Sequence, residues 1–213
     1  MARLKRCAAM ALGLLLAGCA SPPRGNLAVP EPAKPVDLTS YLGTWYEIAR
    51  YDQRFEKGCV DASALYTLRP DGKLGILNSC RLADGTIKSA RARGKIVPGS
   101  GNAKLKVSFF GPFYFGNYWV LDHADDYSWS IVGDPSGRYL WLLARSPDAA
   151  PEPLYERAKQ LGYDTSLLIP GRRRGADFGA ASVRGLRRAL ADLKNADLAC
   201  QRKILLERLL EGH

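Results

Sequence analysis

The chain has 213 residues and a formal net charge of +10, with 46% hydrophobic and 24% charged residues. This composition is typical of a globular protein and excludes a mainly disordered or collagen-like chain. The charge is concentrated at the ends: residues 1–18 hold three Lys and Arg, residues 171–213 hold ten against five Asp and Glu, and the residues between hold eighteen against sixteen. Because the body is nearly neutral, nucleic acid is not a predicted partner.

The first 18 residues predict a secretory signal peptide. A basic segment (residues 3–6) precedes an apolar run (residues 8–16) that is too short for a permanent transmembrane helix. The run ends in Leu16-Ala17-Gly18-Cys19, which resembles the lipobox of bacterial lipoproteins; a plain signal peptide with a free Cys is the alternative. The resemblance implies an acylated Cys19 as lipid anchor. It also implies sorting to the outer membrane, on its periplasmic face, because Ala20 and Ser21 follow.

Two further segments flank the predicted folded body. Residues 19–37 are rich in proline and are predicted to form a semi-extended tether that holds the body off the membrane. Residues 171–213 are predicted to form a basic helical extension. This extension could be an accessory helix pair packed on the body, an interfacial helix on anionic lipid, or a contact in a homodimer.

Short turns divide residues 41–146, and apolar residues recur there at every second position, which is typical of strands. We predict eight strands, near residues 44–50, 60–68, 73–80, 86–97, 103–109, 116–121, 128–133 and 138–145.

Alternation is clearest on the fourth and fifth predicted strands. One face of these strands carries small or apolar residues, namely Ala90, Ala92, Gly94, Ile96, Leu105, Val107 and Phe109. One dry and one wet face predict an antiparallel sheet, and an even meander of eight strands loses its edges by closing on itself. The predicted fold class is therefore all-β, an eight-stranded antiparallel up-and-down barrel. The alternative is a two-layer sandwich, which needs longer crossover connections.

The interior of an eight-stranded barrel accommodates packed side chains or one small ligand. The small residues Ala90, Ala92 and Gly94 favour a ligand cavity. Large residues opposite them would instead give a filled barrel with a purely structural role.

One helix is predicted after the barrel, over residues 152–162. Leu154, Ala158 and Leu161 fall on one face, and Gly162 ends the helix. We expect this helix to pack on the outside of the barrel, so that barrel and helix together occupy residues 38–170.

Three cysteines remain after Cys7 leaves with the signal peptide and Cys19 becomes the anchor. Cys59 and Cys80 flank a predicted hairpin at nearly equal distance from its turn, which favours a disulfide in an oxidising compartment. The alternatives are a pairing of one of them with Cys200, or three free thiols.

The ends of the predicted barrel carry a second pattern, Gly43-Thr44-Trp45-Tyr46 on the first strand and Arg145 on the last. The glycine permits a tight turn, and a guanidinium can stack on the face of an indole. Arg145 is therefore predicted to cover Trp45; an ordinary buried Trp is the alternative.

These residues belong to a wider resemblance. Gly43, Trp45 and Tyr46, the turn Asp125-Asp126-Tyr127 and Arg145 are similar to the three motifs of the lipocalin family, with Asp125 in place of Thr. Longer runs resemble its branch of bacterial outer-membrane lipoproteins related to apolipoprotein D, namely residues 46–50, 54–58, 106–114 and 139–147.

The resemblance implies a cup that binds a fatty acid or lysophospholipid, closed at one end by Gly43, Trp45, Tyr127 and Arg145. Alternation places the following residues on the cavity side: Ala90, Ala92, Ile96, Leu105, Val107 and Phe109. Phe113, Tyr118 and Trp119 are predicted to extend that lining as a clamp at the rim, or else to belong to the barrel core.

The predicted function is a membrane-anchored lipocalin that binds, stores or transports lipids during envelope maintenance or stress. The alternative is a lipocalin-fold enzyme acting on a lipophilic substrate. Against it, the body has a single histidine, His123, interpreted as part of a solvated turn. No metal site or cofactor is predicted. A free Cys59 or Cys80 would provide a nucleophile, and Glu47 and Asp61 would orient a ligand head group or cap strands.

Overall fold

A computed structural model describes residues 24–171. Eight strands confirm the predicted meander: β1 (Gly43–Tyr51), β2 (Cys59–Leu68), β3 (Leu74–Leu82), β4 (Ile87–Ile96), β5 (Lys104–Ser108), β6 (Gly116–His123), β7 (Trp129–Gly133) and β8 (Leu140–Ala144). Predicted and observed strand ends differ by up to two residues. Cys19, Cys200 and the predicted extension from 172 onward lie outside the described residues.

Every strand pairs antiparallel with the next, and β1 pairs with both β2 and β8, which closes the barrel. A short ninth strand, β9 (Leu168–Pro170), pairs with the second half of β1. This half is free to accept it because the pairing of β1 with β2 covers only Gly43–Tyr46. The barrel is confirmed, and the sandwich is not observed among the described residues.

Two α-helices accompany the barrel in residues 24–171, α1 (Leu38–Tyr41) and α2 (Glu152–Gln160). Asp37 caps the start of the short α1, where its side chain accepts the Thr39 N–H, and this helix lies across one end of the barrel. The predicted outer helix is confirmed as α2. It buries Leu154 and Ala158 in an outer cluster that also contains Ile131, Leu140 and Leu142.

Alternation divides the buried residues into two groups. The outer cluster lies between the sheet and α2, whereas the inner cluster fills part of the barrel. On β1, for example, Trp45 belongs to the inner cluster and Ala49 to the outer one. A register shift between Glu47 and Ala49 accommodates the change of face along this strand.

The described part of the proline-rich segment is more closely attached to the barrel than the predicted semi-extended tether. Residues 24–37 are extended, but they run along the barrel as a strap. The Gly25 and Asn26 N–H groups donate to the Gly137 carbonyl, and the Ala33 and Val36 N–H groups donate to the carbonyls of Leu121 and Gly101. Proline removes donors only at its own positions, so the residues between the prolines bind the barrel.

Candidate functional site

The barrel has two unlike ends. The closed end contains α1 and the connections 69–73, 97–103 and 124–128. The open end contains the connections 52–58, 83–86, 109–115 and 134–139. The strand directions fix this division, because β1 starts at the closed end and successive strands run antiparallel. Each end presents its own set of predicted site residues.

Trp45 lies at the centre of the closed end and is fully buried. Its indole Nε1–H donates to the Tyr41 carbonyl at 2.9 Å, which ties the first strand to α1. The Arg145 guanidinium carbon lies 3.8 Å from the centroid of the indole ring. Arg145 also donates to the carbonyls of Thr44 (2.8 Å) and Ser40 (2.6 Å). Stacking and hydrogen bonds together fix the guanidinium over the indole.

Gly43 and Tyr127 occupy special backbone positions at the same end. Gly43 has φ of +94°, and a Cβ added there would lie 3.4 Å from the Arg145 Nη1. Tyr127 also has a positive φ, of 57°. Its hydroxyl accepts the Asp37 N–H at 2.7 Å, just before α1. The four residues predicted to close the barrel therefore meet around α1.

A chain of hydroxyl groups lies beneath Trp45, inside the barrel. The Tyr118 hydroxyl is 2.9 Å from those of Tyr41 and Tyr66, and Tyr41 also reaches the Ser130 hydroxyl at 3.2 Å. Burial raises the pKa of Tyr41 to about 12 and that of Tyr118 well above its ordinary value. The phenols therefore stay protonated and uncharged, and hydrogen bonds among the hydroxyl groups satisfy these buried polar atoms.

The inner cluster fills the closed half of the barrel. Ala92, Leu105 and Val107 are buried in it, with Ile96 and Tyr118 partly buried against it. A Cβ built on Gly94 would lie 3.5 to 3.6 Å from atoms of Ile76, Leu74 and Leu105. At this level, large residues on the neighbouring strands β3 and β5 take up the space beside Gly94, so this glycine does not open a cavity.

Toward the open end the inward face becomes accessible. Strand register aligns Trp45, Ala64, Asn78 and Ala90 across four strands, so they share the inward face. Trp45 is buried, Ala64 and Asn78 are half-buried, and Ala90 is exposed. On the side of the barrel formed by β2, β3 and β4, the inward-facing residues gain exposure toward the open end, so the lumen opens there to solvent. On the side of β1, Glu47 and Arg50 are buried.

Two predicted cavity residues, Phe109 and Trp119, need correction, whereas Phe113 lies at the rim, one of the two positions expected for it. Trp119 pairs with Lys104, and Tyr118 pairs with Leu105. Since neighbouring residues on a strand face opposite sides, Trp119 lies outside, against the outer cluster, with the Lys104 ammonium 3.9 Å from its ring centroid. Phe109 and Phe113 follow β5 on the connection to β6 and are 46% and 62% exposed. They therefore form part of the rim of the opening and are not buried in the lumen.

An ion cluster lies inside the barrel near its open end. Arg50 and Glu47 are buried, and the Arg50 Nη1 donates to the Glu47 Oε1 at 2.8 Å. The Arg50 Nε lies 3.1 Å from the Glu56 Oε2, and its Nη2 donates to the carbonyls of Glu56 and Cys59. The Trp141 Nε1–H donates to Glu56 at 3.3 Å. Arg50 thus ties β1 to the connection 52–58.

Burial raises the pKa of Glu47 to about 8, the nearby Glu56 carboxyl adds to the rise, and Arg50 opposes it. Burial also raises the pKa of Glu56, again against Arg50. One guanidinium balances one carboxylate, so a proton on Glu47 leaves the cluster neutral in its low-dielectric site.

The predicted disulfide is confirmed: Cys59 and Cys80 are bonded, with their Cα atoms 5.5 Å apart. The bond joins β2 to β3 at the open end. Beside it, the buried Asp61 carboxylate pairs with Arg81 at 3.2 Å. Because both sulfurs are bonded, neither Cys59 nor Cys80 is a free nucleophile in this state.

His123 is buried, which differs from the expected solvated turn. Its Nδ1 lies 2.8 Å from the Ala124 carbonyl oxygen, and its Nε2 lies 3.1 Å from that of Pro35. The ring stacks on Tyr127 at a centroid distance of 4.3 Å. His123 thus helps to hold the strap. Within residues 24–171, no three His, Cys, Asp or Glu side chains form a metal-binding group.

Sequence reasoning missed Arg50 and Glu56 as members of the site. A signal was present: Arg50 interrupts an otherwise apolar and aromatic run on β1. Alternation could not predict which face of β1 carries Arg50, because a register shift lies between Glu47 and Ala49. The structure places Arg50 beside Trp141 of β8, which packs against the inner cluster.

A profile described as a lipocalin-like domain matches residues 36–172. The chain is 42% identical over 153 residues to a Vibrio cholerae protein named outer membrane lipoprotein Blc, covering 68% of this chain and 89% of that one. The Escherichia coli K12 protein of the same name is 39% identical over 168 residues, with 76% and 92% covered. Apolipoprotein D of Rattus norvegicus is 34% identical over 137 residues, with 60% and 70% covered.

Solved structures support the same fold. Insecticyanin of the tobacco hornworm Manduca sexta superposes with a TM-score of 0.55 at 21% identity, covering 68% of this chain and 85% of its own. Lobster apocrustacyanin A1 gives 0.51 at 15% identity, with 65% and 80% covered. At these identities the likeness concerns the fold alone. None of the helices in residues 24–171 is long and apolar enough to cross a membrane.

Proposed function

Because the chain belongs to the lipocalin family, we propose that it binds one amphipathic lipid, a fatty acid or a lysophospholipid, in the barrel lumen. The protein is lipid-anchored at the outer membrane, as are its relatives named outer membrane lipoprotein. In this setting the bound lipid is stored or carried within the cell envelope, for its maintenance or under stress.

The observation that carries the proposal is the gradient of exposure along the inward face of β2, β3 and β4. The lumen is filled by the inner cluster at the closed end and is accessible beside Ala64, Asn78 and Ala90. Concave sites that are mostly apolar, with a few polar groups, suit ligands of this kind. The acyl chain would lie along this face, with its head group toward solvent.

A cation at the open end suits the head group. Lys88 pairs in register with Cys80 and follows Ala90 toward the opening on the same face of β4, and it is exposed. Arg50 is less suited, because its donors already bind Glu47, Glu56 and the carbonyl of Cys59. We therefore assign the carboxylate or phosphate of the lipid to Lys88.

A titration of the soluble form (residues 20–213), which lacks the anchor Cys19, with a fluorescent fatty acid tests this function, with lysophospholipid as competitor. Ala90→Trp places a large ring on the exposed inward face and should abolish saturable binding. Ser89→Trp is the matched control, because Ser89 is an exposed neighbour on the opposite face. Equal binding by both variants would contradict a ligand in the lumen.

The head-group assignment has its own test. Lys88→Gln should weaken binding of the fatty acid about tenfold, in line with loss of a charge-assisted hydrogen bond. It should leave binding of the corresponding fatty alcohol unchanged. An equal loss for acid and alcohol would show that Lys88 acts on the shape of the opening and not on ligand charge.

A further inference from the structure

The rim of the open end is strongly apolar. Among residues 24–171, eight large hydrophobic side chains are exposed, and six of them lie at this rim: Phe55, Ile87, Phe109, Phe110, Phe113 and Phe115. Phe110 and Phe115 are 84% and 82% exposed, and Phe113 stacks on Phe115 at 5.7 Å. Clustered exposed hydrophobic residues of this kind mark an interaction surface.

Charges around this rim are mainly positive. In the segments 52–58 and 83–91 the exposed charged residues are Asp52, Arg54, Lys57, Asp84, Lys88 and Arg91. The connection 109–115 has no charged residue. An apolar surface bordered by cations is suited to a bilayer with anionic lipid, where the rings enter the interface and the cations meet head groups.

The strap brings the predicted anchor to the same end. Gly25 and Asn26 bind the carbonyl of Gly137, which lies in the β7–β8 connection at the open end. Cys19 is six residues before Gly25, and six residues span at most about 20 Å. β1 alone, with nine residues, extends about 30 Å. The anchor thus starts from the rim, and the closed end points away from it.

From these three observations we infer that the Phe rim docks on the membrane that holds the Cys19 anchor, so that the lumen opens directly onto lipid. The occupant of the rim is an anionic phospholipid surface. The short link between anchor and rim keeps this surface within reach at all times. This inference adds a docking surface to the proposed function, and it gives the ligand a route that avoids water.

Depth-dependent quenching tests the inference on the full acylated protein reconstituted in vesicles of phosphatidylethanolamine and phosphatidylglycerol. An environment-sensitive dye is attached at Phe110→Cys on the rim or, as matched control, at Asp71→Cys in the exposed β2–β3 turn of the closed end. Both variants carry Cys200→Ser, and Cys59 and Cys80 are protected by their disulfide. The vesicles contain phospholipid with a nitroxide on its acyl chain.

The dye at position 110 should be quenched at least about twofold more than the dye at 71, because docked side chains enter the acyl boundary. Three results overturn the inference. Equal quenching means no preferred orientation, and stronger quenching at 71 means the opposite one. Blue-shifted but unquenched emission at 110 means that a second copy or residues 172–213 cover the rim.

A second variant separates docking from lipid binding. Phe113→Ser with Phe115→Ser, added to the dye-labelled protein, should reduce quenching at position 110 while fatty-acid binding through the lumen persists. If Ala90→Trp abolishes fatty-acid binding but quenching at 110 remains, both proposals stand. If neither the wild type nor any variant binds fatty acid but the dye at position 110 is still quenched, the proposed function fails and the docking surface stands.

Discussion

The two ends of the barrel are stabilised by different interactions. At the closed end, buried aromatic and apolar side chains pack around Trp45, with Arg145 stacked on its outer face. At the open end, a disulfide between Cys59 and Cys80 joins β2 to β3, and Arg50 joins β1 to the connection 52–58. One end has a core, and the other has cross-links.

The difference follows from what each end must leave free. A core stabilises by filling space, so an end that keeps its lumen accessible cannot be stabilised in the same way. Covalent and ionic links act between strands and need no filled interior. The exposed inward face at Ala90 and the disulfide therefore occur at the same end of the barrel, because an end with an accessible lumen is stabilised by links between strands and not by a filled core.

The largest loss of stability should come from replacing Trp45 at the centre of the closed end. Trp45→Ala leaves a cavity beneath Arg145 and should lower the free energy of unfolding by about 3–5 kcal/mol. Trp45→Phe is the control, because it keeps a ring for Arg145 but loses the Nε1–H bond to the Tyr41 carbonyl; it should cost about 1–2 kcal/mol. Denaturant unfolding measures both, and equal losses would show that the hydrogen bond matters more than the packing.

The next effect concerns the covalent link at the open end. Cys59→Ser with Cys80→Ser should lower the free energy of unfolding by about 3 kcal/mol, given the 21-residue separation. Hydrogen exchange should accelerate near Ala62, beside the missing bond, and stay slow at Tyr66 and Ile76 near the closed end. Uniform acceleration along β2 and β3 would show that the two ends are not stabilised separately.

The ion cluster gives a smaller effect that depends on pH. The pKa of Glu47 is raised to about 8 in the folded state, so between its unfolded value and pH 8 the folded chain keeps a proton that the unfolded chain has lost. Stability should therefore fall as pH rises through this window and level off above it.

Glu47→Gln removes this titration while its carbonyl oxygen still accepts from Arg50. At pH 9 the variant should be more stable than the wild type, by on the order of 2 kcal/mol, and near pH 5 the two should agree. Urea unfolding across this pH range gives the comparison, with Asp71→Asn as an exposed control. Parallel pH profiles for wild type and Glu47→Gln would assign the pH dependence to another group.

Much of the fold could be predicted because strand alternation is a local property. Each strand carries its own period of two, so the eight strands and the outer helix follow from short stretches of sequence. The closing contact of Arg145 with Trp45 was also foreseeable, since a guanidinium on the last strand can stack on the face of an indole on the first.

What could not be predicted depends on contacts between different parts of the chain. Gly94 suggested space, but Ile76 and Leu105 from adjacent strands take it up. Trp119 and Tyr118 suggest one aromatic cluster, but neighbouring residues on a strand face opposite sides, so Tyr118 packs against the inner cluster and Trp119 against the outer one. The strap was missed because its prolines suggest free chain, whereas the intervening N–H groups bind the carbonyls of Gly137, Leu121 and Gly101.

The smallest change in the free energy of unfolding should come from a substitution at the rim. A larger change than expected there would show that the rim is covered by protein. Phe110 is 84% exposed, so Phe110→Ser in the soluble form should change the free energy of unfolding by less than about 0.5 kcal/mol. A loss of 2 kcal/mol or more, as for a core phenylalanine, would mean that protein covers this ring in solution. The rim would then be an intramolecular or dimer contact. A near-zero change in solution, together with weaker quenching of the dye at position 110 when Phe113 and Phe115 are both replaced by Ser, would indicate that the rim meets the membrane.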